Sequence, residues 1–164
     1  MSNKCDCFVP RNEKKKKMEL HNEIASFLAM TAVNKKIILF DGVCNLCNSS
    51  VQFVIARDKK DLFRFVALQS DLGSSIVKHI GIDIKNTDSI ILYEPGIAYY
   101  YKSTAALKIA KSLGGIWSLV SSILIIPATI RDLVYDYIAK NRYSWYGKKE
   151  SCMIPTPELK SKFL

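Results

Sequence analysis

The sequence predicts an α/β fold: a mixed sheet built in the order β-α-β-α-β-β-α, followed by additional C-terminal helices. Three observations carry the prediction. Ile37 to Phe40 is an uninterrupted apolar run, the pattern of a strand buried on both faces. Strand-length and helix-length segments then alternate, which implies parallel pairing. Finally, Pro95-Gly96 separates two strand-length runs, the signature of an antiparallel hairpin.

Residues 1–34 read as a polar arm, in which Leu20, Ile24, Phe27 and Leu28 recur at roughly helical spacing between Met18 and Val33. The core is expected over 35–115. After the first strand, Asn45 to Arg57 is a helix-length segment that ends in the charged cluster Arg57-Asp58-Lys59-Lys60-Asp61. Phe63, Phe65, Ala67 and Leu68 mark a second strand, and Asp71 to Ile80 a second helix with Asp71 as cap and Gly81 as stop. Ser89 to Glu94 and Ile97 to Lys102 are the hairpin strands. Ser103 or Thr104 is expected to cap the third helix, which stops at Gly114-Gly115.

The remainder, 116–164, is expected to pack on the core as a helical extension and tail. An apolar helix is expected from Ile116 to Ile126, with Pro127 opening an amphipathic helix that runs to about Arg142. The uncharged stretch Gly114 to Ile130 is only about 17 residues long and contains a proline. It is expected to pack on the sheet rather than to span a membrane. Membrane association is possible in principle but not favoured.

The chain has 164 residues, 49% of them hydrophobic, enough for one domain with extensions. Its net charge of +9 owes much to Lys14–Lys17 and to the segment from Lys140 to Lys162. No aromatic-interleaved basic motif accompanies that charge, so nucleic acid is not an expected partner. Five cysteines is an odd number, and no apolar leader precedes a cleavage site, so a cytoplasmic protein is expected. In that compartment a close cysteine pair points to catalysis or metal binding rather than to a permanent staple.

The pair is Cys44 and Cys47, in Asp41-Gly42-Val43-Cys44-Asn45-Leu46-Cys47. With the strand ending near Phe40 and a helix starting near Cys44, the two sulfurs fall one turn apart on one side of the helix. That separation suits a disulfide. The unpaired N–H groups of the helix N-terminus would stabilise a thiolate on Cys44. Cys44 is therefore expected to be the exposed nucleophile, and the more shielded Cys47 the resolving thiol. Asp41 either handles a proton or orders the turn, where Gly42 supplies conformational freedom.

This heptapeptide resembles the signature of the DCC family of predicted thiol-disulfide oxidoreductases, named for its Asp and two Cys. The segment Tyr99 to Leu107, with its Ser and following Ala, is similar to the family's strand-to-helix segment. The stretch from Tyr135 to Leu164 is similar to its closing region, with Asn141-Arg142-Tyr143, Tyr146-Gly147 and Cys152-x-x-Pro155. The resemblance spans about Lys36 to Leu164 and implies a thioredoxin-like fold and disulfide exchange through Cys44, Cys47 and Asp41. It implies no cofactor, a disulfide-containing protein or small thiol as substrate, and a dithiol system as electron donor. One departure is plain: better-known thioredoxin-like enzymes set a cis-proline before the third strand, and this chain has Asn86-Thr87-Asp88-Ser89. Thr87 to Ser89 would line the site through backbone groups.

The alternative from another class is a zinc-, iron-sulfur- or partner-binding module without turnover, with Cys5 and Cys7 or Cys152 completing a thiolate set. The one-residue spacing of Cys5 and Cys7 is unusual for such a site. Cys5 and Cys7 are expected to be incidental and Cys152 a small buried hydrophobe. His21 and His79 lack ligand spacing. Arg142, Tyr143, Trp145 and Tyr146 either wall the active site or fasten the C-terminal helix to the sheet, and fastening is the expected role.

Overall fold

A computed structural model describes residues 35–82, 89–148 and 159–164. The arm and its expected helix, Cys5, Cys7, His21, Thr87 and Cys152 lie outside these residues. The described elements are β1 (Lys36–Phe40), α1 (Asn45–Arg57), β2 (Phe63–Ala67), α2 (Asp71–His79), β3 (Ile91–Glu94), β4 (Ala98–Tyr101), α3 (Lys102–Leu113), α4 (Ile116–Val120), a 3-10 turn (Ser121–Ile125) and α5 (Ala128–Tyr146). A short 3-10 turn at Lys160–Lys162 follows. The architecture is the expected mixed α/β one, consistent with a thioredoxin-like fold.

The sheet runs β2-β1-β3-β4. β1 pairs parallel with β2, bringing Ile38 opposite Phe65, and antiparallel with β3, bringing Ile38 opposite Leu92. β3 and β4 form the hairpin around Pro95-Gly96, with Leu92 opposite Tyr100. β1 is an inner strand, between β2 and β3, and both of its faces are covered. Ile38 and Phe40 join Phe63, Phe65, Val51, Val54 and Ile109 under α1 and α3. Ile37 and Leu39 point the other way and join Val66, Ile76, Val77 and Ile91 under α2. The continuous apolar run thus reflects alternate side chains entering two cores. Each fully buried Phe, Ile or Leu contributes roughly 1.5–3 kcal/mol.

Two expected caps are corrected. Ser70, rather than Asp71, caps α2: its hydroxyl accepts the Gly73 N–H at 3.0 Å and donates to the Ala67 carbonyl at 2.8 Å. Asp71 sits in the first turn, where its charge suits the helix dipole. α3 has no side-chain cap; the Ser103 hydroxyl is instead bonded to Asp132 and Arg131 of α5. The expected turns hold, since Gly81, Gly96, Gly114 and Gly115 all have positive φ.

Ile116 to Ile126 does not form one helix packed on the sheet. It breaks into α4 and the 3-10 turn because the Ser121 hydroxyl donates to the Ser118 carbonyl at 2.6 Å, and Pro127 then ends the run. Trp117 turns inward, while Ile116, Leu119 and Ile125 are 71, 69 and 88% exposed. Leu133, Val134 and Tyr137 of α5 are exposed as well. Among the described residues no single helix is long and apolar enough to cross a membrane; one pair, Ile116–Ile125 and Ala128–Tyr146, is so only when taken together, and it is bent by 117°.

Candidate active site

The turn after β1 is built around Asp41, which is 7% exposed. One carboxylate oxygen accepts the Val43 N–H at 3.1 Å and the Gln69 amide at 2.7 Å. The other accepts Arg142 Nη2 at 2.9 Å and the Tyr143 hydroxyl. Gln69 also accepts the Gly42 N–H at 3.0 Å, and the buried Asn48 donates to the Gly42 carbonyl at 3.1 Å. Asp41 thus bonds to the turn through Val43 and to Gln69, Arg142 and Tyr143 beyond it.

That turn delivers Cys44 to the N-cap of α1, in extended backbone geometry, where its Sγ accepts the Cys47 N–H at 3.4 Å. Cys47 follows one turn along, and both cysteines are free thiols. The expected exposures are reversed: Cys44 is 0% exposed and Cys47 is partly exposed. The cause is a cover supplied by the end of α5. Lys148 bridges Cys44 in antiparallel fashion, and the Asn45 side chain donates to the Tyr146 carbonyl at 2.8 Å. Burial, the hydrogen bond with the Cys44 sulfur and the charge of Cys44 together push the Cys47 thiol well above its ordinary value.

Cys47, not Cys44, lines a pocket of about 530 Å³. Its ionisable lining residues are Asp41, Cys47, Tyr135 and Arg142. Phe53, Val54, Ile109, Leu113 and Trp117 form its walls, and the exposed Ser49 and Ser50 edge it. Phe53 and Trp117 meet edge to face with ring centroids 4.7 Å apart. The Tyr135 hydroxyl accepts the Ile90 N–H at 3.0 Å, so the backbone entering β3 is tied to α5. Burial pushes Tyr135 up to about 12, and burial with the Asp41 hydrogen bond does the same to Tyr143.

The structure brings Asp41, Cys44 and Cys47 together, as expected. It adds Gln69 and Tyr135, which sequence reasoning did not place in the site, and Arg142 and Tyr143, for which a wall beside the site was the less favoured of two expected roles. The Asn-Arg-Tyr element was the available signal for the last two. Arg142 fastens α5 as expected and also lines the pocket, whereas Trp145 and Tyr146 are about half exposed, at 53 and 52%. Trp145 packs on Tyr137 with centroids 5.7 Å apart, on the outer side of α5 rather than on the sheet. His79 is exposed in the last turn of α2. Among the described residues no three His, Cys, Asp or Glu side chains gather as a metal site.

Residues 38–148 match the family described as DCC1-like thiol-disulfide oxidoreductase. The uncharacterized protein YuxK of Bacillus subtilis (strain 168) is 47% identical over 132 residues, covering 80% of this chain and 96% of that protein. A chloroplastic DCC family protein of Arabidopsis thaliana is 39% identical over 119 residues, 72% of this chain and 69% of that one. No solved structure gives a significant match.

Proposed function

The chain belongs to the DCC1-like thiol-disulfide oxidoreductase family, and from that premise we propose that it exchanges disulfides in the cytoplasm through Cys44 and Cys47, with Asp41 holding the loop that carries them. The observation that carries the reading is the seating of Cys44 at the N-cap of α1, its sulfur facing the Cys47 N–H. In a reductive cycle the dithiol and a substrate disulfide become the Cys44–Cys47 disulfide and two substrate thiols. A dithiol donor returns the pair to the reduced form. No step draws on an organic cofactor.

The backbone donor facing the Cys44 sulfur at the helix N-terminus supports Cys44 as one of the two exchanging sulfurs. Cys47 is the sulfur that keeps its proton. For a substrate that reaches Cys44, the order is attack by Cys44 and resolution by Cys47, and the Tyr146–Lys148 cover has to lift first. A second order is favoured by the pocket, which Cys47 lines and Cys44 does not: a substrate held there meets Cys47 first, and Cys44 resolves.

The test is direct. Metal-free protein treated with an oxidising disulfide should lose two hydrogens, map by mass spectrometry to a Cys44–Cys47 bond, and regain them with a dithiol. A protein whose pair never forms that bond, and whose Cys44→Ser and Cys47→Ser variants trap no mixed disulfide, would sink the proposal.

A further inference from the structure

We infer that the pocket beside Cys47 is a binding site for a small disulfide with an apolar body, and that the mixed disulfide with it forms on Cys47. This rests on the disulfide-exchange reading and takes its second order of attack. The pocket's size lies within the range of small-molecule sites, and so does its make-up: apolar walls with a few convergent polar groups.

The ionisable groups lining the pocket lie near the sulfur, and the hydroxyls of Ser49 and Ser50 add further side-chain polar atoms to its lining. Asp41, Arg142 and Cys47 are close enough to act on one another electrostatically, and Tyr135 feels both Cys47 and Arg142. Beyond them the walls offer side-chain carbon from α1, α3 and α4, with Ile138 closing the α5 side. A ligand that suits this arrangement is amphipathic in one sense only, with its sulfur at Cys47 and hydrocarbon along the walls. A peptide substrate would gain most from pairing with an open strand edge. The sheet's edges are β2 and β4, and the one strand residue lining the pocket is Phe40 of the inner strand β1. Recognition therefore falls to burial of apolar surface, which favours a compact small molecule.

The chemistry balances without another reactant. Cys47, which is partly exposed, loses its proton to solvent as it attacks the substrate disulfide; the substrate S–S bond breaks, and one half leaves as a thiolate and takes up a proton. Cys44 then gives up its proton and attacks Cys47, the mixed disulfide breaks, and the second half leaves. The two protons finish on the two substrate thiols, and the two electrons that reduced them come from the Cys44–Cys47 dithiol.

The experiment uses full-length protein and a series of alkyl 2-pyridyl disulfides from methyl to hexyl, whose reaction releases a coloured thione. In the Cys44→Ser variant the adduct should map to Cys47, and the rate should rise at least ~10-fold from methyl to hexyl, because each buried methylene is worth up to about fourfold. Ala110→Phe, which fills the pocket from α3, should bring the hexyl-to-methyl ratio down to about one. Rates independent of chain length, or adducts found only on Cys44 of the Cys47→Ser variant, would overturn the inference and leave disulfide exchange standing. Failure of every variant and of the wild type to react would remove both. As a check that needs no cysteine variant, dihexyl thioether, which cannot exchange, should quench Trp117 fluorescence saturably in the wild type and not in Ala110→Phe. No quenching in the wild type would count against the site.

Discussion

Asp41 and Arg142 stand 101 positions apart in the chain and 2.9 Å apart in the structure, an ion pair with side chains only 8 and 4% exposed. One end of the bond is the turn that positions the cysteines; the other is the last part of the helix that covers them. The bond therefore joins the sheet to its C-terminal extension at the site itself.

Removing one partner of a buried pair strands the other charge, so Asp41→Asn should lower unfolding free energy by about 3 kcal/mol. The loss should shrink in an Arg142→Met background, where no buried cation is left behind. Chemical denaturation of the two single variants and the double variant measures the coupling. Equal losses in both backgrounds would mean that the pair does not act as a unit. The Asp41→Asn protein should also alkylate faster at Cys44, because the end of α5 loses an anchor.

The local part of this arrangement was legible in the sequence. β1 announced itself because burial on two faces produces an unbroken apolar run, and α1 because a short polar turn precedes a helix-length segment. Other features depend on what the chain meets elsewhere. Both Ser70 and Asp71 suit an N-cap; the choice between them follows from how closely α2 approaches β2. Ser103 would have capped α3 had Asp132 and Arg131 not taken its hydroxyl. The burial of Cys44 was hidden because its cover, Tyr146–Lys148, comes from the far end of the domain, and Arg142 could be read as an anchor but not as Asp41's partner.

Stability should fall on the alkaline side. Cys47 holds its proton more tightly folded than unfolded, so its contribution is present below the ordinary thiol value of 9.0 and is lost as pH rises past it. Tyr135 and Tyr143, raised from 10.0 to about 12, add losses between those values. Thermal melts from pH 7 to 11 should show a midpoint that declines above about 9, with a shallower decline above 10 in Tyr135→Phe. A midpoint that stays level to pH 11 would contradict the assignment.

Gly73 is a point where α2 lies close against the end of β2. A Cβ there would lie 2.1 Å from the Ala67 carbonyl oxygen, a backbone atom that cannot move without breaking the Ser70 cap bonded to it. Gly73→Ala should therefore cost on the order of 2 kcal/mol, despite alanine's better helix propensity. Urea denaturation would show it; a neutral or stabilising result would mean that α2 shifts freely on the sheet.

Gly147 offers a way to loosen the cover without touching the cysteines. Its backbone sits at φ 78° and ψ 168°, a region essentially restricted to glycine, and a Cβ would come 3.2 Å from the Asn45 amide nitrogen that holds the Tyr146 carbonyl. A side chain at this position strains the backbone by about 1–3 kcal/mol and presses on that hydrogen bond. The cheapest relief is to release Lys148 from its bridge to Cys44. Gly147→Val should accordingly speed iodoacetamide labelling of Cys44 several-fold while leaving Cys47, which is reached from the pocket side, nearly unchanged. Peptide mass spectrometry of timed samples gives both rates from one digest. Equal acceleration at the two cysteines would point to general loosening of α1, and no acceleration at Cys44 would mean that the bridge is not what shields it.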